Sequence, residues 1–164
     1  MTEDQFWEII EASRQASSDC EAQADALQES LSELAASEIM AFDQIFHQKL
    51  VGAYHWDVWG VAYLVNGGCS DDCFEYFRAW LIGQGKAAYE QVLADPQSIV
   101  SILENSEDEV ECEALMYASH SAYESLEGEV MPVLERMSSP APAGEPWEEQ
   151  DLEERFPKVA ERCA

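Results

Sequence analysis

The sequence predicts an all-α fold: a single-domain bundle of about seven or eight helices with a buried central helix pair. Three observations predict it. Apolar residues recur at helical spacing along most of the chain. Helix-start signals stand ahead of several of these runs. No strand candidate rises above that pattern; WDVWGVAYLV at 56–65 has a strand's apolarity, but its length and its Ala and Gly content favour helix. At 164 residues and 47% hydrophobic, the chain is large enough to bury a real core.

The elements follow in order. Thr2 with Gln5 has the spacing of a capping box, and Phe6, Ile9, Ile10 and Ser13 make one face of the helix behind it. Ser18 with Glu21 repeats the signal before a stripe of Ala24, Leu27, Leu31 and Leu34. Ile39, Phe42, Phe46 and Leu50, with Ile45 beside them, make a third. The central pair is 56–66, whose WDVWGVAYLV is apolar almost all round, and 71–82. NGGCSDDC at 66–73 joins them. Asn66 or Gly67 supplies the left-handed stop, Ser70 the next cap, and Asp71 and Asp72 the negative charge of a first turn. Lys86–Ala94 is a shorter helix, and Asp95-Pro96 is a cap followed by proline at the first helical position. Ser106 with Glu109 precedes a long acidic helix from Val110 to about Leu126. SSPAPAGEP at 138–146 is a linker by composition. This divides the chain into a helical core at 1–137, the linker, and a tail at 147–164. The tail has Trp147, Leu152, Phe156 and Val159 to dock with, and Pro157 splits it into two short helices.

Charge is the largest anomaly: 8 basic against 34 acidic residues, net −26. Residues 1–47 carry −10, residues 48–100 only −3, and residues 101–164 carry −13. The middle third also holds 9 of the 17 aromatics, which makes it the core and the flanks its acidic cover. Such a chain repels phosphate, so direct nucleic-acid binding is excluded in its usual form. A basic protein partner, or mimicry of nucleic acid, fits the charge; so does plain solubility. No apolar run approaches a membrane span, and MTEDQFWEII lacks the basic start of a signal peptide. With five cysteines, an odd number, free thiols in the cytoplasm are the simpler reading.

Arg78 is the residue that ordinary helix chemistry leaves unexplained. It is the only Lys or Arg between Lys49 and Lys86, and it lies within the apolar run FEYFRAWLI. A guanidinium there needs carboxylates or becomes a costly buried charge. Asp57, the one acid of the other apolar helix, is its expected partner across the pair. The functional version of this cluster is a pocket holding His55, Asp57, Asp71, Asp72 and Arg78, rimmed by Trp56, Trp59 and Trp80.

Other signals are weaker. GQGK at 83–86 lacks the first glycine and the final hydroxyl of a phosphate loop. Cys69 and Cys73 have no second pair at zinc spacing. Asp71, Asp72 and Glu75 match no cation loop, and the neighbouring aspartates oppose a Cys73 thiolate with His55 as base. No metal and no cofactor is expected.

WD-x-WG at 56–60, AYL-x-NGG-CSDD at 62–72 and F-x-YFR-x-WLI-x-x-G at 74–85, with the opening MTEDQFWEIIEAS, resemble the bacterial family called domain of unknown function 4240. The resemblance covers roughly the first two thirds of the chain. It implies a small helical bacterial cytosolic protein and no activity. Cys73 stands where the family pattern has glycine. The functional expectation is a small acidic binding or regulatory protein without catalytic activity, acting on a basic protein partner. The rival is an enzyme or small-molecule binder using the Asp/Arg cluster.

Overall fold

A computed structural model describes residues 1–17, 19–103, 110–132, 135 and 138–164. Among these, helix is the only regular structure, and the helices number ten with three short 3-10 turns. Ten exceeds the expected seven or eight; three of the ten are short, a five-residue helix after Pro96 and two in the tail.

The first three helices are α1 (Glu3–Ala16), α2 (Cys20–Ser32) and α3 (Ala36–Gly52). Thr2 and Gln5 form the expected capping box on α1, with bonds of 2.9 and 3.2 Å. Asp19 caps α2 by accepting from the Ala22 N–H; the expected box at Ser18 lies outside the described residues, as does the one at Ser106 and Glu109. Next come α4 (Trp56–Asn66) and α5 (Asp71–Gly83). The corner between them follows its local chemistry. Gly67 ends α4 at φ 65° and Gly68 follows at φ 121°, both left-handed values that suit glycine. Ser70 Oγ then accepts from the Cys73 N–H and caps α5.

After the corner, α6 (Lys86–Ala94) leads to a 3-10 turn at Pro96–Ser98, capped by Asp95, and to α7 (Ile99–Leu103). The long helix expected from Val110 is not there. Cys112 is extended and donates its N–H to Tyr76 O at 2.9 Å; a 3-10 turn at Glu113–Met116 follows, and only then α8 (Ala118–Glu127). The reason is a covalent tie: Cys112 is bonded to Cys20, with Cα atoms 5.6 Å apart. The tail forms a 3-10 turn at Glu149–Asp151, then α9 (Leu152–Arg155) and α10 (Pro157–Cys163), divided at Pro157.

Helix α5 sits at the centre, packed against α1, α3, α4 and α6. Phe74, Phe77, Leu81 and Ile82 are fully buried on it, each worth about 1.5–3 kcal/mol on the scale of complete side-chain burial. Helix α4 is apolar all round for a different reason. Val58, Val61 and Ala62 face inward, and its opposite side is covered by α9 and α10. Leu152, Phe156 and Val159 of the tail are buried in the same apolar cluster as α1 to α8. No described helix is long and apolar enough to cross a membrane.

The free-thiol reading is overturned for four of the five cysteines. Cys20–Cys112 joins the start of α2 to the approach to α8, and Cys69–Cys73 closes the corner onto α5; Cys163 is free and exposed. The first pair spans 92 residues, a separation that spacing rules do not reach. Loops of that size lose much entropy on closure, so the Cys20→Ser, Cys112→Ser double variant is expected to lose about 2–4 kcal/mol against the oxidised protein. Equilibrium denaturation measures it; an unchanged midpoint would show that this bond adds no stability.

Candidate functional site

Helix α5 positions Arg78 by its register. The side chain lies over two adjacent rings, its Cζ 4.7 Å from the centroids of both Tyr54 and Phe74. Nη1 donates to Leu50 O at 2.7 Å, near the end of α3, and Nε to Phe74 O at 3.4 Å. The residue is 9% exposed. Burial pulls the guanidinium below its ordinary pKa, while Glu75 and Asp71 oppose that shift. An arginine starts so high that it stays charged.

Arg78 lines a cavity of about 290 Å³. Asp71, Asp72 and Glu75 of α5 line it too, with His47 and Tyr54 from the α3 side and Ser138 and Ser139 opposite. Asp71 and Asp72 are exposed at the rim, and Glu75 is half-buried. Three carboxylates and a guanidinium thus share one hollow. Yet among the described residues none of the carboxylates forms an ion pair with Arg78. Its Nη2 makes no hydrogen bond among these residues.

The structure therefore brings Asp71, Asp72 and Arg78 together, as the sequence suggested, and separates them from the rest of the expected pocket. Asp57 is not the partner of Arg78. Its Oδ1 takes Arg155 Nη2 at 2.6 Å, from α9 in the tail. Helix α4 turns Asp57 toward the tail, while Arg78 reaches α3. His55 caps α4, its Nδ1 accepting from the Asp57 N–H at 3.1 Å. Trp80 is 7% exposed and packs on Phe77, away from the cavity. Trp56 and Trp59 stack at 5.4 Å, and Trp59 stacks in turn on Phe74 at 5.0 Å. The tryptophans thus do not rim the cavity. They form a column, Trp56–Trp59–Phe74, that ends against the Arg78 guanidinium and holds it from behind.

The tail closes the other end of that column. Ala143 pairs its backbone with Tyr54 O and the Trp56 N–H, both at 2.9 Å. Trp147 Nε1 donates to Trp56 O at 2.6 Å, and its ring meets Trp56 and Trp59 edge-on. Gly60 makes room for this: a Cβ there would lie 2.5 Å from Phe156 Cε2 and 3.1 Å from Trp147 Nε1. Sequence reasoning also missed a buried polar cluster joining α3 to α8. Ser119 Oγ donates to Asp43 Oδ1 at 2.8 Å, and His120 Nε2 lies 3.3 Å from the same oxygen. Serine and histidine both address the carboxylate, and Ser119 and Asp43 lie 76 residues apart with no local motif to flag them. Among the described residues, no three imidazoles, thiols or carboxylates converge as metal ligands.

These features define an acidic all-α domain with a pinned arginine facing a small charged hollow. The chain belongs to the family described as protein of unknown function (DUF4240), whose family model matches residues 1–125. No curated protein matches the chain, and no solved structure does. The match takes in Arg78, its rings and its three carboxylates, and ends before Ser138 and the tail.

The geometry makes Gly60 the point where tail and α4 depend on each other. Gly60→Ala forces a methyl into Phe156 and is expected to cost about 1–3 kcal/mol by overpacking. Limited proteolysis checks where the cost falls: cleavage between 138 and 164 should accelerate while the α1–α8 fragment persists. Unchanged proteolysis would mean that the tail re-seats without strain.

Proposed function

We propose that this is a binding or regulatory protein without catalytic activity, which takes a small charged ligand in the Arg78 cavity. One observation carries the reading. A guanidinium that is 9% exposed faces a hollow lined by three carboxylates and pairs with none of them. A buried charge that meets carbonyls and rings but no counter-charge still costs stability. A protein keeps such a group where something outside the chain completes it. The guanidinium itself suits binding rather than proton transfer, because an arginine does not act as an acid or base at ordinary pH.

The basic protein partner stands as a second reading, favoured by the α1–α2 surface. Glu8, Asp25 and Glu29 are exposed there and make no ion pair among the described residues. The bacterial, cytoplasmic setting implied by the family resemblance belongs to this proposal; the Cys20–Cys112 and Cys69–Cys73 bonds weigh against it, since disulfides persist in oxidising compartments.

Arg78→Met separates the functional from the structural role. The variant loses the donor to Leu50 O, worth about 1–3 kcal/mol, and removes a buried charge whose desolvation costs several kcal/mol. The two nearly cancel, so the unfolding free energy is expected to stay within about 1 kcal/mol of the parent. A loss of roughly 3–5 kcal/mol in denaturant unfolding would show that Arg78 serves the fold, and the ligand-site reading would fall.

A further inference from the structure

We propose that the Arg78 cavity binds a small zwitterion, an amine-bearing carboxylate of the size of a basic amino acid, with its carboxylate on Arg78 and its distal ammonium among Asp71, Asp72 and Glu75. The inference rests on the cavity being a ligand site and names the class of ligand it takes.

Helix register sets the spacing of charge. Asp71, Glu75 and Arg78 stand at i, i+4 and i+7 and share one face of α5. At helical rise, Glu75 is about 4.5 Å and Asp71 about 10 Å from Arg78 along the axis. Opposite charges so close on a helix would ordinarily pair. Here they do not, because the guanidinium is held elsewhere: Nη1 is fixed on Leu50 O, and the plane is held against Tyr54 and Phe74. The result is a hollow with a positive floor and a negative rim, kept apart by the fold.

Each simpler ligand meets a repulsion. An inorganic anion that reaches Arg78 must pass Asp71, Asp72 and Glu75. A simple cation held at those carboxylates meets the guanidinium. A molecule carrying both charges satisfies both ends and leaves no desolvated group unpaired. The open Nη2 of a planar, immobilised guanidinium is already set for a carboxylate, so little ordering entropy is lost on binding. Size narrows the class. About 290 Å³ lies at the small end of ordinary ligand pockets, which suits a single amino acid.

The test uses the full chain and four probes at matched ionic strength: L-lysine, 6-aminohexanoate, hexanoate and cadaverine. Calorimetric titration reads affinity, and thermal unfolding reads stabilisation. L-lysine and 6-aminohexanoate are expected to bind saturably, with hexanoate and cadaverine at least tenfold weaker. Asp71→Asn with Glu75→Gln changes only the rim and is expected to weaken lysine at least tenfold. Arg78→Lys, which keeps the charge but loses the fork, should do the same. Hexanoate binding as tightly as lysine would overturn the zwitterion while leaving an anion site in place. Cadaverine binding as tightly would overturn it in favour of a cation site. Lysine affinity unchanged in both sets of variants would place its site elsewhere and overturn the proposal. Failure of all four probes to bind would overturn both the zwitterion and the reading of this cavity as a ligand site.

Discussion

A helix that ends inside a protein carries carbonyls that water cannot reach, and this constraint organises the molecule. Helix α3 ends against the core. Its Lys49 O accepts from Tyr89 OH at 2.7 Å, and its Leu50 O accepts from Arg78 at 2.7 Å. Helix α5 ends with Gly83 O, which accepts from the buried Gln23 Nε2 at 2.8 Å, and Gln23 is steadied by Ser13. Helix α7 ends at Leu103, whose carbonyl accepts from Arg162 of the tail at 3.0 Å. Each donor comes from a different helix from the one it caps. The caps are therefore also the tertiary ties, and α2, α5, α6 and α10 are held in place partly by the ends they close.

This explains an oddity of a chain with 34 acids and 8 bases. Arginine here is directed to carbonyls as much as to carboxylates. Arg155 serves Asp57 together with Glu145 O and Pro146 O, and Arg162 serves Leu103 O. Arg78 belongs to the same set, but with a difference. Gln23 shows that an amide is enough to cap a buried helix end. At Leu50 the chain uses a charged group instead, which costs more to bury and leaves donors over. Capping alone does not account for that choice; a cavity with opposite charge at its rim does.

What was legible in the sequence was local. The NGG corner and its Ser70 cap, the limits of α4 and α5, the Asp95-Pro96 start and the break at Pro157 all follow from neighbouring residues. Arg78 stood out for the same reason, since an isolated charge in FEYFRAWLI is visible within a few positions. What was not legible was long-range. Asp57 finds Arg155 across 98 residues, and Cys20 finds Cys112 across 92. Neither has a signature within one helix turn. The assignment of Asp57 to Arg78 failed on direction: adjacent antiparallel helices bring residues level, but helical phase decides which way each points. The apolarity of α4 misled in the same manner. A helix that is apolar all round is buried, yet the sequence does not say by what, and half of the answer is the tail beyond the linker.

The two ends of the Trp56–Trp59–Phe74–Arg78 column have different fates, and the difference bears on where an outside molecule can bind. At the tryptophan end the chain supplies its own occupant. Trp147 covers the rings, Arg155 neutralises Asp57, and Phe156 fills the space left by Gly60. At the arginine end the carboxylates stop short, Nη2 is open, and a hollow of about 290 Å³ remains. The family match contains both ends of the column but not the tail that fills one of them. Within this chain the tail thus occupies the tryptophan end of the column, with Trp147 packed against Trp59. That end is filled by the chain itself, while at the arginine end a guanidinium and three carboxylates face one hollow without pairing among the described residues.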